Sequence, residues 1–453
     1  MGNTNKNQTK TIQSTTLPMV NAKVAGIDIG NEWHYVSVSP QLCTENVRKF
    51  GTFTADLEAL ATWLLDLGIT SVAMESTGVY WINVFEVLES KGLEVLLVNA
   101  RYPKNVSGRK SDVSDSQWIQ QLHSYGLLPA SFIPSEDVRE LRYYVRQRST
   151  LVSNKAQYLQ RIGKALQLMN IKLQNKIARL DSKVGMEIVR AIVQGEQDPA
   201  ILANFHTKAM KVSKEELTAS LRGNYRKEHL FALKQSLACF DFMKAQLLEC
   251  EQEIEKLLQK WQTGEIIQEE SFESQAKKKT VRQNDYAFEV GSYLKEITGV
   301  DLTEVKGFSE NTLLTILSET GTDMTRFQDA KHFVSWLGLA PKQKISGDKL
   351  LGHFKQKHPS RANQAFKLAA WSLHSSHCHL GALYRKLSIR KNSGIAVQAV
   401  ARKLAVIFYT MMKNKTAYQP QSANEYEKKY AARKQQSLEK EATKLGYRLV
   451  KIE

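Results

Sequence analysis

Short apolar segments alternate with polar ones over the first third of the chain. Leu57, Leu60, Trp63 and Leu64 recur at helical spacing, and further helices are expected over 79–89 and around 112–115. Runs rich in β-branched and other apolar residues predict strands at 24–29, 34–38, 71–75 and 94–98, with a weaker strand at 49–53. Three strands followed by alternating helices and strands is the order expected of a ribonuclease-H-like α/β fold. We therefore assign residues 22–150 to an α/β domain and residues 1–21, which are polar, to a disordered tail.

Helical periodicity dominates the middle of the chain. Apolar residues recur every three or four positions from about residue 135 to 181, and a second amphipathic helix begins near Arg226. In heptad positions this second helix has an apolar seam that Lys244 and Glu251 interrupt. We interpret residues 151–290 as a helical, coiled-coil region with a polar linker. Dimerisation through residues 230–261 is favoured over packing of this helix within its own protomer.

The last third is predicted to be mainly α-helical. Residues 302–321 suggest a helix-hairpin-helix-like element, whose backbone amides could contact phosphate. An apolar helix is expected to end at Gly338, and Pro341 then opens a flexible, lysine-rich loop in which Ser346 precedes Gly347. We assign residues 291–415 to this domain and residues 416–453 to a basic helical tail.

The charge of the chain points to a polyanionic partner. Its formal net charge is +17, and nucleic acid is the commonest partner of such proteins, although a merely basic housekeeping protein or an RNA-associated factor would share this composition. A basic helix face can also be simply solvated. Two groups of basic residues are the candidate nucleic-acid contacts: Arg142, Arg146, Arg148, Lys155, Arg161 and Lys164 in the first, and Lys342, Lys344, Lys349, Lys355, Lys357 and Arg361 in the second.

The remaining composition indicates a cytoplasmic protein. Four cysteines stand far apart without a Cys-x-x-Cys pair, as is typical of a reducing compartment. The first twenty residues lack the apolar core of a signal peptide, and no run of apolar residues long enough for a membrane span is expected.

Four carboxylates are the strongest candidates for chemistry. Asp28 and Glu75 each lie at the end of a predicted strand, whereas Asp112 and Asp115 stand three positions apart on a predicted helix behind Ser111. Clustered carboxylates repel one another unless a cation neutralises them, and Mg²⁺ prefers such oxygen ligands. Two such ions could bind the attacking and leaving oxygens of a phosphodiester.

Asp28 and Ser346 each have a simpler interpretation. The segment Asp-Ile-Gly at Asp28 also occurs at strand ends in sugar kinases and actin-like ATPases, where it faces phosphate. Ser346 next to Gly347 is ordinary turn chemistry unless a base or a metal activates the hydroxyl, because serine alone is a weak nucleophile.

Taken together, the sequence resembles the DEDD insertion-sequence transposases, which are related to the pilin-gene invertases and include bridge-RNA-guided recombinases. The similarity runs over nearly the whole chain from Lys23. The features that carry it are the four acids Asp28, Glu75, Asp112 and Asp115, the helix from Leu141 to Leu173, the block 336–341 with Ser346 and Gly347, and the tail from Leu380 to Tyr447.

This resemblance implies a RuvC-like N-terminal domain, a coiled-coil dimerisation segment and a C-terminal transposase domain. It implies that the four acids hold Mg²⁺ while Ser346 attacks DNA and becomes covalently attached. Donor and target DNA would be partners, together with a noncoding bridge RNA, and the acids of one protomer would act with the serine of another in a dimer or tetramer. The sequence departs from the family pattern at Asp348, where a second Gly is common.

We therefore predict a DNA transposase or site-specific recombinase. The alternatives are a metal-only nuclease that resembles a Holliday-junction resolvase, with Ser346 in a structural role, and a non-catalytic nucleic-acid-binding regulator that uses only the basic helices.

Overall fold

A five-stranded sheet organises the first part of the chain in the computed structural model. The structure describes residues 18–99, 112–263, 284–340, 342–347, 349–354, 360–419 and 423–450. Most of the predicted tail and most of the predicted linker lie outside these ranges. The chain forms two compact units, Met1–Ile133 and Pro134–Glu453, and the domain limits drawn from the sequence stay predictions.

The first unit has the predicted mixture of strands and helices. Its strands are β1 (Val24–Ile29), β2 (His34–Val38), β3 (Val47–Phe50), β4 (Ser71–Glu75) and β5 (Glu94–Val98). Its helices are α1 (Thr54–Asp66), α2 (Trp81–Ser90) and α3 (Asp112–Ser124). Four of the five strands have the predicted limits, whereas β3 begins and ends a few residues earlier than expected. The N-terminus of α1 is set by Asp56, whose carboxylate accepts a hydrogen bond from the Phe53 amide.

The sheet has the order β3-β2-β1-β4-β5. Strand β2 is antiparallel to β1 and β3, whereas β4 is parallel to β1 and β5. Alternate residues face opposite sides, so Ile27 and Met74 join the core beneath α1 and α2. On the other side, Ala73 and Val98 pack with Ile119 of α3. Within the described part of this unit, α3 is therefore the one helix that packs on this face of the sheet.

The second unit contains two long helices, α4 (Glu136–Leu168) and α8 (Lys227–Thr263), and α4 is its first helix. Arg148 pairs with Glu251 at 2.6 Å, and both side chains are buried. Since Asp137 lies near Lys260 and Leu166 shares a core with Leu233, the helices run antiparallel. Between them in the chain are α5 (Lys183–Val193), α6 (Pro199–Leu202) and α7 (Lys214–Ser220).

The apolar seam of α8 is buried within the protomer, contrary to the preference for dimerisation stated above. Leu233, Leu237 and Phe240 pack against Ile162 and Leu166 of α4 and against residues of α5 to α7. The heptad pattern is satisfied by α4, because an antiparallel partner in the same chain buries a helical stripe as well as a second copy does. Glu251, which interrupts the seam, is the partner of Arg148.

We expect Leu237→Glu to unfold the second unit rather than to separate protomers. The substitution removes a buried leucine and places a charge in an apolar core, which together cost at least about 3 kcal/mol. The matched control is Phe242→Glu on the same helix, where the side chain is 58% exposed. Thermal unfolding and light scattering would measure both variants. A Leu237→Glu protein of unchanged unfolding midpoint but halved mass would show instead that the seam is an interface between copies.

In the described residues, the rest of the second unit consists of helices and a β-hairpin. Its helices are α9 (Val290–Thr298), α10 (Glu310–Thr320), α11 (Ala330–Trp336), α12 (Arg361–Ser372), α13 (His379–Arg390), α14 (Ser393–Asn414) and α15 (Ala423–Lys444). Rings of Phe327, Phe333, Phe366 and Phe408 pack together at centroid distances from 5.0 to 6.3 Å. This aromatic cluster forms the core that joins α11, α12 and α14.

Helices α9 and α10 are joined by residues 299–309, and the helix-hairpin-helix-like element expected over 302–321 stays a prediction. Helix α9 ends at Gly299, which has a positive φ of 69°, and α10 begins after Ser309, whose side chain accepts a hydrogen bond from the Thr312 amide. Between them Gly307 has a φ of 103°, and a side chain there would press on the carbonyl of Ala369. The connection thus packs closely against α12.

By length and composition, helix α14 could cross a membrane. No such segment was expected from the sequence. Half of its apolar window is buried inside the protein. Val400, Leu404 and Phe408 line its buried face. An apolar helix of this kind is expected at the centre of a folded domain, so packing in the core explains its apolar composition.

Candidate active site

Asp28 and Glu75 lie side by side at one edge of the sheet. Strands β1 and β4 are paired in parallel register through Ile27 and Met74, so Asp28 and Glu75 occupy the next pair of positions. Neighbouring strands are about 4.8 Å apart, and residues in register point to the same face. Both carboxylates belong to the face covered by α3, and the Thr77 hydroxyl donates a hydrogen bond to Oε1 of Glu75 at 3.3 Å.

The direction of α3 is defined by contacts at its C-terminal end. His123 is hydrogen-bonded to the hydroxyl of Ser71, the first residue of β4, at 3.0 Å. The carbonyl of Ser124 accepts hydrogen bonds from the amides of Val20 and Asn21, which precede β1. Because the end of α3 meets the beginnings of β1 and β4, the helix runs antiparallel to both strands. Its N-terminal turn therefore lies towards their carboxyl ends.

His123 holds this end of α3 as a neutral ring. Burial lowers the pKa of His123 below its ordinary value, and the nearby Glu94 only partly opposes this effect. The neutral imidazole keeps one nitrogen as a donor and one as an acceptor, which suits its bond to a serine hydroxyl.

All four predicted acids thus belong to elements that meet at one edge. Asp115 is exposed, and Asp112 is the first residue of α3, although its side chain lies outside the description, as does Ser111. Among the described residues, no three His, Cys, Asp or Glu side chains stand close enough together to hold a metal. The donor set is made of carboxylate oxygens, which is the chemistry that Mg²⁺ requires.

Gly26 determines how closely α3 approaches the sheet. A Cβ atom at this position would overlap the backbone nitrogen of Gln120 and the carbonyl oxygen of Ser116. The absence of a side chain thus lets the helix backbone rest directly on β1, two residues before Asp28. A glycine in a strand signals such close approach in general, but nothing in the sequence identifies α3 as the neighbour.

We expect Gly26→Ala to lower the DNA cleavage predicted from the sequence by at least about tenfold, because α3 must move away and carry Asp112 and Asp115 with it. The matched control is Gly92→Ala in the same unit, where no heavy atom lies within 4 Å of the added carbon. Gly92 has a φ of 81°, so that variant reports backbone strain without displacement of α3. Equal cleavage by Gly26→Ala and the wild type would show that the spacing of α3 does not matter.

Ser346 lies in the second unit at the tip of a β-hairpin, where a flexible loop was expected. The strands are β6 (Lys342–Ser346) and β7 (Lys349–Phe354), and Ser346 pairs with Lys349 across a two-residue turn. Gly347 has a positive φ of 56°, which is what a tight hairpin turn demands of its first central residue. The Ser-Gly pair is therefore turn chemistry that also leaves Ser346 exposed.

The segment between α11 and this hairpin is held by two side-chain amides. Nδ2 of the buried Asn363 donates to the carbonyl of Leu337 at 2.7 Å. Nε2 of Gln398 donates to the carbonyl of Gly338 at 3.2 Å. These two hydrogen bonds fix the chain against α12 and α14 shortly before the hairpin that carries Ser346.

Three of the six residues in the first basic group make contacts within the protein. Arg142 donates to the carbonyls of Ser318 and Glu319, and Arg146 forms two hydrogen bonds with the Glu319 carboxylate. Arg148 stacks on Tyr286 and pairs with Glu251. These three arginines attach α4 to α10 and α8, and their contact with nucleic acid stays a prediction.

The other predicted basic contacts vary in accessibility. Lys155 is half-buried, and burial lowers its pKa. Arg161, Lys164, Lys349 and Arg361 are exposed. Lys342 and Lys344 belong to β6, but their side chains lie outside the description, and Lys355 and Lys357 lie outside the described residues altogether.

Comparison with known proteins agrees with this arrangement. The DEDD transposase family model of the IS110 type matches residues 25–171, and the model of the IS116/IS110/IS902 transposase family matches residues 301–385. The first match includes all four acids, and the second includes the Ser346 hairpin. No curated protein matches the chain.

Both matching models are transposase families, so the chain is a transposase that acts on DNA. The chain belongs to the IS110 family of insertion-sequence transposases.

Proposed function

We propose that this transposase cleaves and rejoins DNA through a covalent bond between Ser346 and a DNA phosphate, with Mg²⁺ held by Asp28, Glu75, Asp112 and Asp115. The observation that carries the proposal is the antiparallel run of α3 against β1 and β4, which directs its two acids to the edge where Asp28 and Glu75 lie. The strand order also supports a ribonuclease-H-like domain of the RuvC kind.

In this proposal the four acids would supply the oxygen ligands of the metal, although Asp28, Glu75 and Asp115 do not form a metal-binding cluster among the described residues. Asp28 and Glu75 are fixed by strand pairing, and α3 is fixed by its contact with Gly26. Bound Mg²⁺ would neutralise their charge, polarise a phosphate and favour the ionised form of a nearby hydroxyl. Without a cation, clustered carboxylates would repel a DNA strand.

Ser346 supplies the nucleophile. Its Oγ forms a bond to phosphorus while the bond from phosphorus to one DNA oxygen breaks. The serine proton is released, and the leaving oxygen takes up a proton to become a free hydroxyl. Attack by a hydroxyl of the second strand reverses these steps, so the phosphodiester is re-formed without ATP. Hydrolysis by water would lose that bond instead.

The partners in this proposal are donor and target DNA, together with a bridge RNA that pairs with both. The net charge of +17 and the exposed Arg161, Lys164, Lys349 and Arg361 support a polyanion-binding protein. The acids and the serine belong to different units, and we propose that a homo-oligomer in the cytoplasm supplies the acids of one protomer to the serine of another.

Incubating the purified protein and Mg²⁺ with labelled DNA of the element's end junction tests the proposal. A product that stays attached to protein on a denaturing gel is the expected result. Free nicked ends would indicate a metal-only nuclease, and a shifted band without cleavage would indicate a binding protein. RNA that copurifies with the protein and is encoded beside the gene would support the guide.

A further inference from the structure

A row of side chains crosses the sheet from the proposed acids to its edge strand. Asp28 pairs with Tyr35 of β2, and Tyr35 pairs with Lys49 of β3. Directly paired residues point to the same face, so Glu75, Asp28, Tyr35 and Lys49 stand in line on the face that α3 covers. Lys49 is two strands from Asp28, which is about 10 Å between Cα atoms.

Trp33 lies next to this row, in the turn that connects β1 to β2. It comes directly before β2, and its contact with Lys49 places its ring on the face of Tyr35 and Lys49. The Lys49 ammonium lies 3.8 Å from the centre of the Trp33 ring and 5.9 Å from that of Tyr35. Trp33 nevertheless keeps 45% of its surface exposed. A large exposed indole beside an ammonium group has no role in the core beneath α1 and α2.

The chemistry of the pair suits one unpaired nucleotide. An indole face can stack on any base, and such a stack is sequence-tolerant. The lysine ammonium has three N–H donors, which can contact phosphate oxygens while the charge stays near the ring. Because a strand that approaches Asp28 and Glu75 meets two negative charges, a cation in the same row offsets that repulsion.

We propose that Trp33 and Lys49 form a clamp for an unpaired nucleotide of the DNA strand that enters the acidic site. Trp33 stacks on its base, and Lys49 contacts its phosphate. This inference rests on the proposed function, because it takes Asp28 and Glu75 as the place of cleavage. Its consequence is that the strand is unpaired next to the bond that is cut.

The test is binding of single-stranded DNA that carries 2-aminopurine, measured by fluorescence in the presence of a chelator so that no cleavage occurs. Trp33→Ala should weaken binding by roughly 5- to 150-fold, the range of one base stack, and should abolish quenching of the probe. Trp33→Phe should retain most of both. Lys49→Gln should lower the slope of log affinity against log salt by about 0.7, the value of one phosphate contact.

Arg48→Gln is the matched control for Lys49→Gln. Arg48 lies on the same strand and loses the same charge, but it faces the opposite side, where it lies over the Trp63 ring. Unchanged affinity of Trp33→Ala would overturn the inference. So would equal weakening by Arg48→Gln and Lys49→Gln, or a Trp33 effect seen only with RNA of the same sequence.

Cleavage assays on the same variants separate this inference from the proposed function. If Asp28→Asn cannot cleave while Trp33→Ala binds like the wild type, only the clamp is wrong. If Asp28→Asn cleaves normally while Trp33→Ala binds weakly, the clamp survives and the acidic site is wrong.

Discussion

Ser346→Ala is expected to bind end-junction DNA with wild-type affinity and to form no covalent adduct. The hydroxyl is the atom that bonds to phosphorus in the proposed mechanism, and alanine offers no substitute. Because Ser346 is exposed at a hairpin tip, its removal should leave the unfolding midpoint unchanged. Adduct formation on a denaturing gel, followed by peptide mapping of the labelled protein, measures the effect.

Two further variants make this test decisive. Ser346→Cys should retain a trace of activity, because a thiolate is also nucleophilic. Ser375→Ala removes another exposed serine of the same unit and should behave like the wild type. An adduct mapped to another residue, or full recombination by Ser346→Ala, would refute the assignment.

Neutral substitutions of the four acids are expected to lower recombination by more than about 100-fold, beyond the usual cost of losing an outer-shell partner of a metal. The variants are Asp28→Asn, Glu75→Gln, Asp112→Asn and Asp115→Asn. Each removes one charged oxygen ligand and one source of repulsion, so metal affinity should fall while the folded state keeps its stability.

The controls for the acids come from the same unit. Asp66→Asn and Glu86→Gln remove exposed carboxylates from α1 and α2, on the face of the sheet opposite α3. They should recombine DNA like the wild type. Strand-transfer assays over a range of Mg²⁺ concentrations, together with thermal unfolding, measure both groups. Near wild-type activity in two or more of the four site variants would contradict the metal site.

The pattern of residues along the sequence was sufficient to predict features that depend on one helix or strand. Four strands of the first unit have the limits expected from β-branched runs, because strand periodicity depends on alternate burial within a few residues. The helical stripe of Leu57, Leu60 and Leu64 is buried as predicted. The family resemblance read from the acids and the serine block is confirmed by both family matches.

The sequence pattern could not predict which distant segments of the chain pack against each other. The seam of α8 has the same periodicity whether α4 or a second copy covers it, so only the tertiary fold showed that α4 does. The arginines of α4 illustrate the same limit, because a basic helix face looks alike whether it meets phosphate or the Glu319 and Glu251 carboxylates.

The sequence by itself determined the element types of the first unit and the class of protein, and it supplied the candidate acids and the candidate nucleophile. These depend on residue type and on spacing along the chain. The tertiary structure alone decided that Asp28 and Glu75 are neighbours, that α3 runs antiparallel to their strands, and that Trp33 and Lys49 share their face. These relations depend on strand register and helix direction, which arise from hydrogen bonds and packing between residues far apart in the chain.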